Sequence, residues 1–207
     1  MRLFGILAFL ATVNGISFAL GHLDTLDCDV HHLPSQEALD EYVGALDGGC
    51  SLACAFGWTI TPASTLKPQG GISYSATNLS DANLQTAWVE GEADYGVGVA
   101  FRITFNNAGV EQAVPLNGFA FINGYAKNKS IWSANSRVRL LEVMQNGKHK
   151  FTLRLADTVD PQSVSLEGPQ IMRLRPGDDV TLVIRGVYPG TKFKDTALTE
   201  INLYGAH

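Results

Sequence analysis

The sequence predicts an all-β protein, a β-sandwich of jelly-roll type, and three observations carry that prediction. Apolar and polar residues alternate at period two in several separate runs. The 207 residues include 21 Gly and 8 Pro but only 17% charged side chains, a loop-rich composition unlike that of a helical bundle. No strand-helix-strand alternation and no internal repeat is visible, which removes doubly wound sheets and solenoids. The 45% of hydrophobic residues is enough to build a core and excludes disorder.

The elements follow in chain order. Arg2 precedes an apolar run over 3–13 and a Ser17-Phe18-Ala19 ending, the pattern of a secretory signal peptide cleaved after about Ala19. The run is shorter than the roughly 20 apolar residues that cross a bilayer, and no later segment approaches that length. No Cys follows closely enough to take a lipid, so a secreted or periplasmic protein is expected. Residues 20–49 form an N-terminal extension and 50–207 the sandwich domain. Within the extension, 33–47 has one helical pattern, with Leu39, Val43 and Leu46 on one face, Ser35 as cap and Gly48-Gly49 as stop. It is the one substantial helix expected.

An exported chain meets an oxidising compartment, which favours disulfides. Cys50 and Cys54, in a short Gly-rich segment, are the expected pair, leaving Cys28 free or joined to another chain. Zinc is the competing use of the three cysteines, with His31 and His32 nearby, but no repeated CxxC spacing supports it.

Beyond Trp58 the period becomes two. Val99, Phe101, Ile103 and Phe105 alternate with Ala100, Arg102 and Thr104, and Phe151, Leu153 and Leu155 with Thr152 and Arg154. Val180, Leu182 and Ile184, then Ile201 and Leu203, continue the series, while 116–122 is apolar on both faces, as in a central strand. Asn146-Gly147 between two such runs marks a tight hairpin, because a primed turn needs positive φ. About eight strands result. In such a sandwich the loops at one end carry function, here 73–98, 123–137 and 187–199.

The first loop is rich in oxygen ligands. Asp81, Asn83 and Thr86, with a distant carboxylate such as Glu200, are the hard donors Ca²⁺ takes; an Asx-type turn capped by Asp81 is the alternative. The second and third loops mix Tyr125 and Trp132 with Asn123, Lys127, Asn135, Arg137, Lys192 and Asp195. Aromatic faces beside amides and charges suit sugars, whose C–H faces stack while their hydroxyls take paired hydrogen bonds. The two aromatics would equally serve to cover one end of the core. Glu90, Glu92 and Asp94 supply carboxylates in one loop, where a glycosidase needs a pair flanking a bond, though such closely spaced acids also form solvated loops. No GxSxG elbow or nucleophile motif with a positioned His occurs. A net charge of -5 and the absence of a Lys/Arg cluster argue against nucleic acid.

The run Ser73-Tyr74-Ser75-Ala76-Thr77-Asn78-Leu79-Ser80-Asp81, then Thr86-Ala87-Trp88-Val89-Glu90-Gly91 and Tyr95-Gly96-Val97-Gly98, resembles the discoidin-like, factor V/VIII type C superfamily. Asn123-Gly124-Tyr125-Ala126-Lys127, Asn135-Ser136-Arg137-Val138 and the stretch from Val187 to Ile201 are similar to the branch named for the translocation domain of bacterial NAD glycohydrolases, the NADase-type glycan-binding domain. The likeness covers 50–204. It implies a galactose-binding-like jelly roll that binds glycans without chemistry of its own, since no residues remain for a catalytic domain. It also implies a structural calcium at Asp81, Asn83, Thr86 and Glu200. The loop departs from the family at Asp81-Ala82, where Asp-Gly is usual, and Ala82 would be disfavoured if the turn needs positive φ. The Cys pair before the first strand also resembles members of this branch.

The leading expectation is therefore an exported glycan-binding module, using Tyr125 and Trp132 for stacking and Glu90, Asn123, Lys127, Asn135, Arg137, Lys192 and Asp195 for hydroxyls. Two rivals remain: an adhesion or protein-interaction module of the cell envelope, and a glycoside hydrolase using Glu90 or Asp94.

Overall fold

A computed structural model describes residues 24–48, 57–105 and 112–205. The expected signal peptide and the Cys50–Cys54 pair lie outside the described residues.

Among the described residues the chain forms twelve strands and two α-helices. They are β1 (Thr25–Asp27), β2 (Asp29–Val30), α1 (Gln36–Gly48), β3 (Trp58–Pro62), β4 (Trp88–Val89), β5 (Ala100–Phe105) and β6 (Val114–Asn123). Then follow α2 (Lys129–Ala134), β7 (Ser136–Gln145), β8 (Lys148–Arg154), β9 (Gln162–Ser165), β10 (Met172–Leu174), β11 (Asp179–Tyr188) and β12 (Thr196–Gly205). The period-two runs became β5, β8, β11 and β12, and the doubly apolar run became β6, buried on both faces over its last six residues. The strands beyond the eight expected are short: two or three residues leave no room for an alternation to be read.

One leaf of the sandwich runs β2-β9-β6-β12, with β10 on β6 and β4 on β12; the other runs β8-β7-β11-β5-β3, with β1 on β8. The leaves join where Thr196 and Ala197 pair in parallel with Ser136 and Arg137. Phe119, Phe121, Ile201 and Leu203 from one leaf share a core with Phe101, Ile103, Val143 and Leu182 from the other. The hairpin forms as expected: Asn146 and Gly147 have φ of 50° and 72°, and Gln145 faces Lys148.

Residues 24–48, set apart as an extension by the sequence, are built into this fold. β1 pairs with β8 and β2 with β9. On α1, Ser35 Oγ accepts the N–H of Ala38, and Leu39 and Val43 pack against Leu84, Ile122 and Ala126. Cys28 is a free, buried thiol. His31 hydrogen-bonds Ser163 and His32 hydrogen-bonds Asp160, so neither is aimed at Cys28.

Candidate functional site

The site is assembled where β7 and β12 begin. Arg137, 6% exposed, forms a two-pronged ion pair with Asp157 at 2.9 Å and donates to the carbonyls of Asn135 (2.8 Å) and Pro189 (3.2 Å). Its guanidinium lies 4.6 Å from the Trp132 ring centre, and Trp132 Nε1 donates to the Asn123 carbonyl at 2.8 Å. Asn123 is fully buried, its amide exchanging hydrogen bonds with the Val138 backbone at 2.7 and 3.0 Å. Gly124 makes this crossing feasible. It has φ of 78°, and a Cβ there would sit 2.6 Å from Arg137 Cγ and 2.7 Å from Trp132 Nε1.

The six-residue helix α2, which the sequence did not reveal, starts at Asn128, whose side chain accepts the Ile131 N–H. Its C-terminal carbonyls hold the third loop: Ser133 accepts from Thr191 at 2.9 Å, and Ala134 accepts from Lys192 and Phe193 at 3.1 and 2.8 Å. On the opposite side Glu90 is fully buried and takes the N–H groups of Glu92 (2.6 Å) and Thr196 (3.4 Å). Burial pushes its carboxyl above the usual glutamate range despite those two donors. Tyr125, 6% exposed, donates its hydroxyl to the Gln85 carbonyl at 3.0 Å and so ties the first loop to the second.

Between these loops lies a cavity of about 350 Å³. Its apolar wall includes Ile72, Tyr74, Ile131 and Phe193, and its polar groups are Gln69, Lys127, Ser130, Asn135, Lys192 and Asp195. Ile72 and Phe193, 43% and 42% exposed, are two of the three large hydrophobic side chains left open to solvent among the described residues. Asn135 donates through Nδ2 to the Ile131 carbonyl, which leaves its Oδ1 available.

A second cluster sits in the first loop. Asp81 Oδ1 accepts the Asn83 N–H (3.2 Å) and Oδ2 the Thr86 hydroxyl (2.7 Å), so the Asx-type turn is present. Glu200 Oε1 also accepts the Asn83 N–H at 3.2 Å, so both carboxylates converge on that one donor. Burial first, then the Asp81 charge, pushes Glu200 up to about 8. Two facing carboxylates with a hydroxyl and an amide beside them are a donor set for a hard cation, and no cationic side chain among the described residues pairs with either. Ala82 has φ of 52°: the turn does need positive φ, and alanine adopts it.

The family model of the NAD glycohydrolase translocation F5/8 type C domain matches residues 55–204. The chain belongs to this family. No curated protein matches it. Among solved structures it is similar to the family 32 carbohydrate-binding module from Streptococcus pneumoniae EndoD, with 10% identity over 71% of this chain and 96% of the module and a TM-score of 0.48. It is also similar to the arabinofuranosyltransferase AftD from Mycobacteria, with 20% identity, 72% of this chain covered and a TM-score of 0.46. The chain spans 10% of the transferase's length.

In this F5/8 type C domain the expected site residues divide into two groups. Tyr125, Lys127, Asn135, Lys192 and Asp195 line the cavity. Asn123, Trp132, Arg137 and Glu90 stand behind it, with their polar groups engaged in the hydrogen bonds above. Glu90 presents no surface to solvent, whereas Glu92 and Asp94 are exposed. Asp81, Asn83, Thr86 and Glu200 do come together. Sequence reasoning missed Gln69, Ile72 and Tyr74 as wall residues, whereas the third loop, whose aromatic Phe193 stands beside cations and an Asp in the sequence, does line the same surface. The Gly70-Gly71 pair was an available signal: it turns the chain at φ of 56° and 81°, so that Gln69 and Ile72 bond each other across it.

Proposed function

We propose that this F5/8 type C domain is an exported, non-catalytic carbohydrate-binding module, and that the cavity between Ile72, Tyr74, Lys127, Asn135, Lys192, Phe193 and Asp195 holds the glycan. The observation that carries the reading is the pairing in one cavity of exposed apolar faces with polar groups that the fold leaves available. Phe193 and Ile72 offer a surface to the C–H face of a sugar ring. The Asn135 oxygen, Asp195 and the Lys127 and Lys192 amines stand around it for hydroxyls. Family membership supports the same reading. Tyr125 lends its ring edge to the cavity while its hydroxyl stays on the Gln85 carbonyl; Trp132 and Arg137 act as the frame that fixes Asn135 and the third loop.

We assign a structural Ca²⁺ to Asp81, Asn83, Thr86 and Glu200. When bound, the ion supplies a charge that neutralises the facing carboxylates and stiffens the loop from which Gln85 reaches Tyr125. We place the protein in the secreted or periplasmic space on the strength of residues 1–19, which predicts a mature N-terminus at Leu20.

The test is glycan binding by the wild-type chain and by Phe193→Ala. The variant is expected to lose about tenfold in affinity, about 1.4 kcal/mol, with the melting temperature nearly unchanged because the ring, 42% exposed, belongs to none of the core clusters. Equal affinity in the variant would move the stacking surface elsewhere, and no binding to any glycan by folded protein would end the reading.

A further inference from the structure

Resting on that reading, we propose that the glycan taken by this cavity is acidic: a sugar unit bearing a carboxylate or a sulfate, seated on Phe193 with its anionic group between Lys127 and Lys192.

The inference comes from where the lysines lie and what they lack. The chain has seven, and two of them, Lys127 and Lys192, line this cavity, while Lys67, Lys129 and Lys194 are neighbours in sequence of lining residues. The other two, Lys148 and Lys150, sit on β8 beside the hairpin turn, at the opposite end of β7 from the cavity.

Among the described residues Arg102, Arg137, Arg154 and Arg185 each hold a carboxylate within 3.0 Å, whereas Arg139, Arg173, Arg175 and all seven lysines, Lys127 and Lys192 of the cavity included, have none within ion-pair distance. Lys192 rests instead over the Phe193 ring at 4.9 Å and Lys194 over Tyr95 at 5.7 Å. Lys127 is half-buried and has no acid within ion-pair distance among the described residues, so its amine is open to a ligand's anionic group.

Asp195 is the one acid in the lining, so Lys127 and Lys192 leave the wall with a net positive charge in a chain whose net charge is -5. A local positive patch on a negative molecule is electrostatic complementarity for an anion. Asp195 and the Asn135 oxygen remain as acceptors for the hydroxyls of the same sugar. Phe193, directly beneath the Lys192 amine, places the apolar contact next to the charge, which is the arrangement an acidic pyranose presents.

The experiment is an array of matched neutral, carboxylated and sulfated oligosaccharides probed with the full chain at low and at high salt. Binding about tenfold tighter to acidic members than to their neutral counterparts, weakening with salt, is expected. The Lys127→Gln/Lys192→Gln variant should bind acidic and neutral members alike. The Lys148→Gln/Lys150→Gln variant, which removes the same charge at the far end, should keep the preference. Preference for carboxylated over sulfated members, or the reverse, names the anion. Equal binding of acidic and neutral members, or a preference that survives in the Lys127→Gln/Lys192→Gln variant while its fold is intact by circular dichroism, overturns this inference and leaves glycan binding standing. Silence across the whole array from folded protein overturns both.

Discussion

Gly124 is the residue on which the site frame turns. A methyl group there would meet Arg137 and Trp132 at less than 3 Å, and φ of 78° disfavours any side chain. Gly124→Ala is expected to cost about 2–3 kcal/mol in denaturant unfolding, because the overlap and the backbone strain act together. Loss of under about 0.5 kcal/mol would mean that Trp132 moves aside freely. Cys28 illustrates burial acting on chemistry: desolvation first, then Asp27 and Asp29, pushes its thiol up to about 12. The native chain should therefore resist labelling of Cys28 by a thiol reagent near pH 8 and react only once unfolded, as peptide mapping would read. Fast native labelling would contradict the placement, and Cys28 is equally unsuited to joining two chains.

At the scale of elements, α2 is too short to be stable alone and is held by its Asn128 cap, by Trp132 and by the third loop bonded to its end. The cavity wall is thus rigid only because three separate segments interlock. On the outer face of the second leaf, β7, β8 and β11 are laced by Glu142, which takes hydrogen bonds from Arg185 and His149. The Arg185 hydrogen bond above all holds its carboxyl below the usual 4.5. A depressed carboxyl contributes stability that is fully present above 4.5 and lost as pH falls through the folded value. Melting temperature should therefore be flat for this group above about pH 5 and fall below it, and Glu142→Gln should flatten the acid limb. An acid limb identical in the variant would show that the triad is too screened by solvent to matter.

For the whole molecule, the calcium proposed for the first loop would act on the cavity through the Gln85 carbonyl and the Tyr125 hydroxyl that bonds it. A ligand bound only by the folded chain stabilises it by about 2.7 kcal/mol at a hundredfold excess over its dissociation constant. For a domain of this size that corresponds to roughly 5–10 °C. Adding chelator should lower the melting temperature by that order and restoring Ca²⁺ should recover it, with Glu200→Gln insensitive to either. A melting temperature indifferent to chelator in the wild-type chain would leave Glu200 as a buried acid holding the Asn83 N–H and nothing more.

Much of the sandwich was legible in the sequence because it is local. The alternations over 99–105, 151–155 and 180–184 and the turn at Asn146-Gly147 each carry their information within one segment, as do the Ser35 cap and the Leu39 and Val43 face of α1. The Asp81 loop was legible as a cluster of oxygen donors, with Glu200, 119 residues away, as a distant carboxylate to join it, and the family resemblance implied the same four residues. Which aromatics face a ligand was not legible. Trp132, Tyr125 and Phe193 look alike in sequence, yet Arg137 and the Asn123 carbonyl cover the first, the Gln85 carbonyl engages the second, and only the third stands open. The same holds for charge: Arg137 meets Asp157 across a chain excursion while the cavity lysines meet no acid. Periodicity and turn chemistry are set by neighbours in the chain, so the sequence alone determined the strands and their hairpin. Exposure and pairing are set by neighbours in space, so only the tertiary structure decided which side chains frame the cavity and which ones line it.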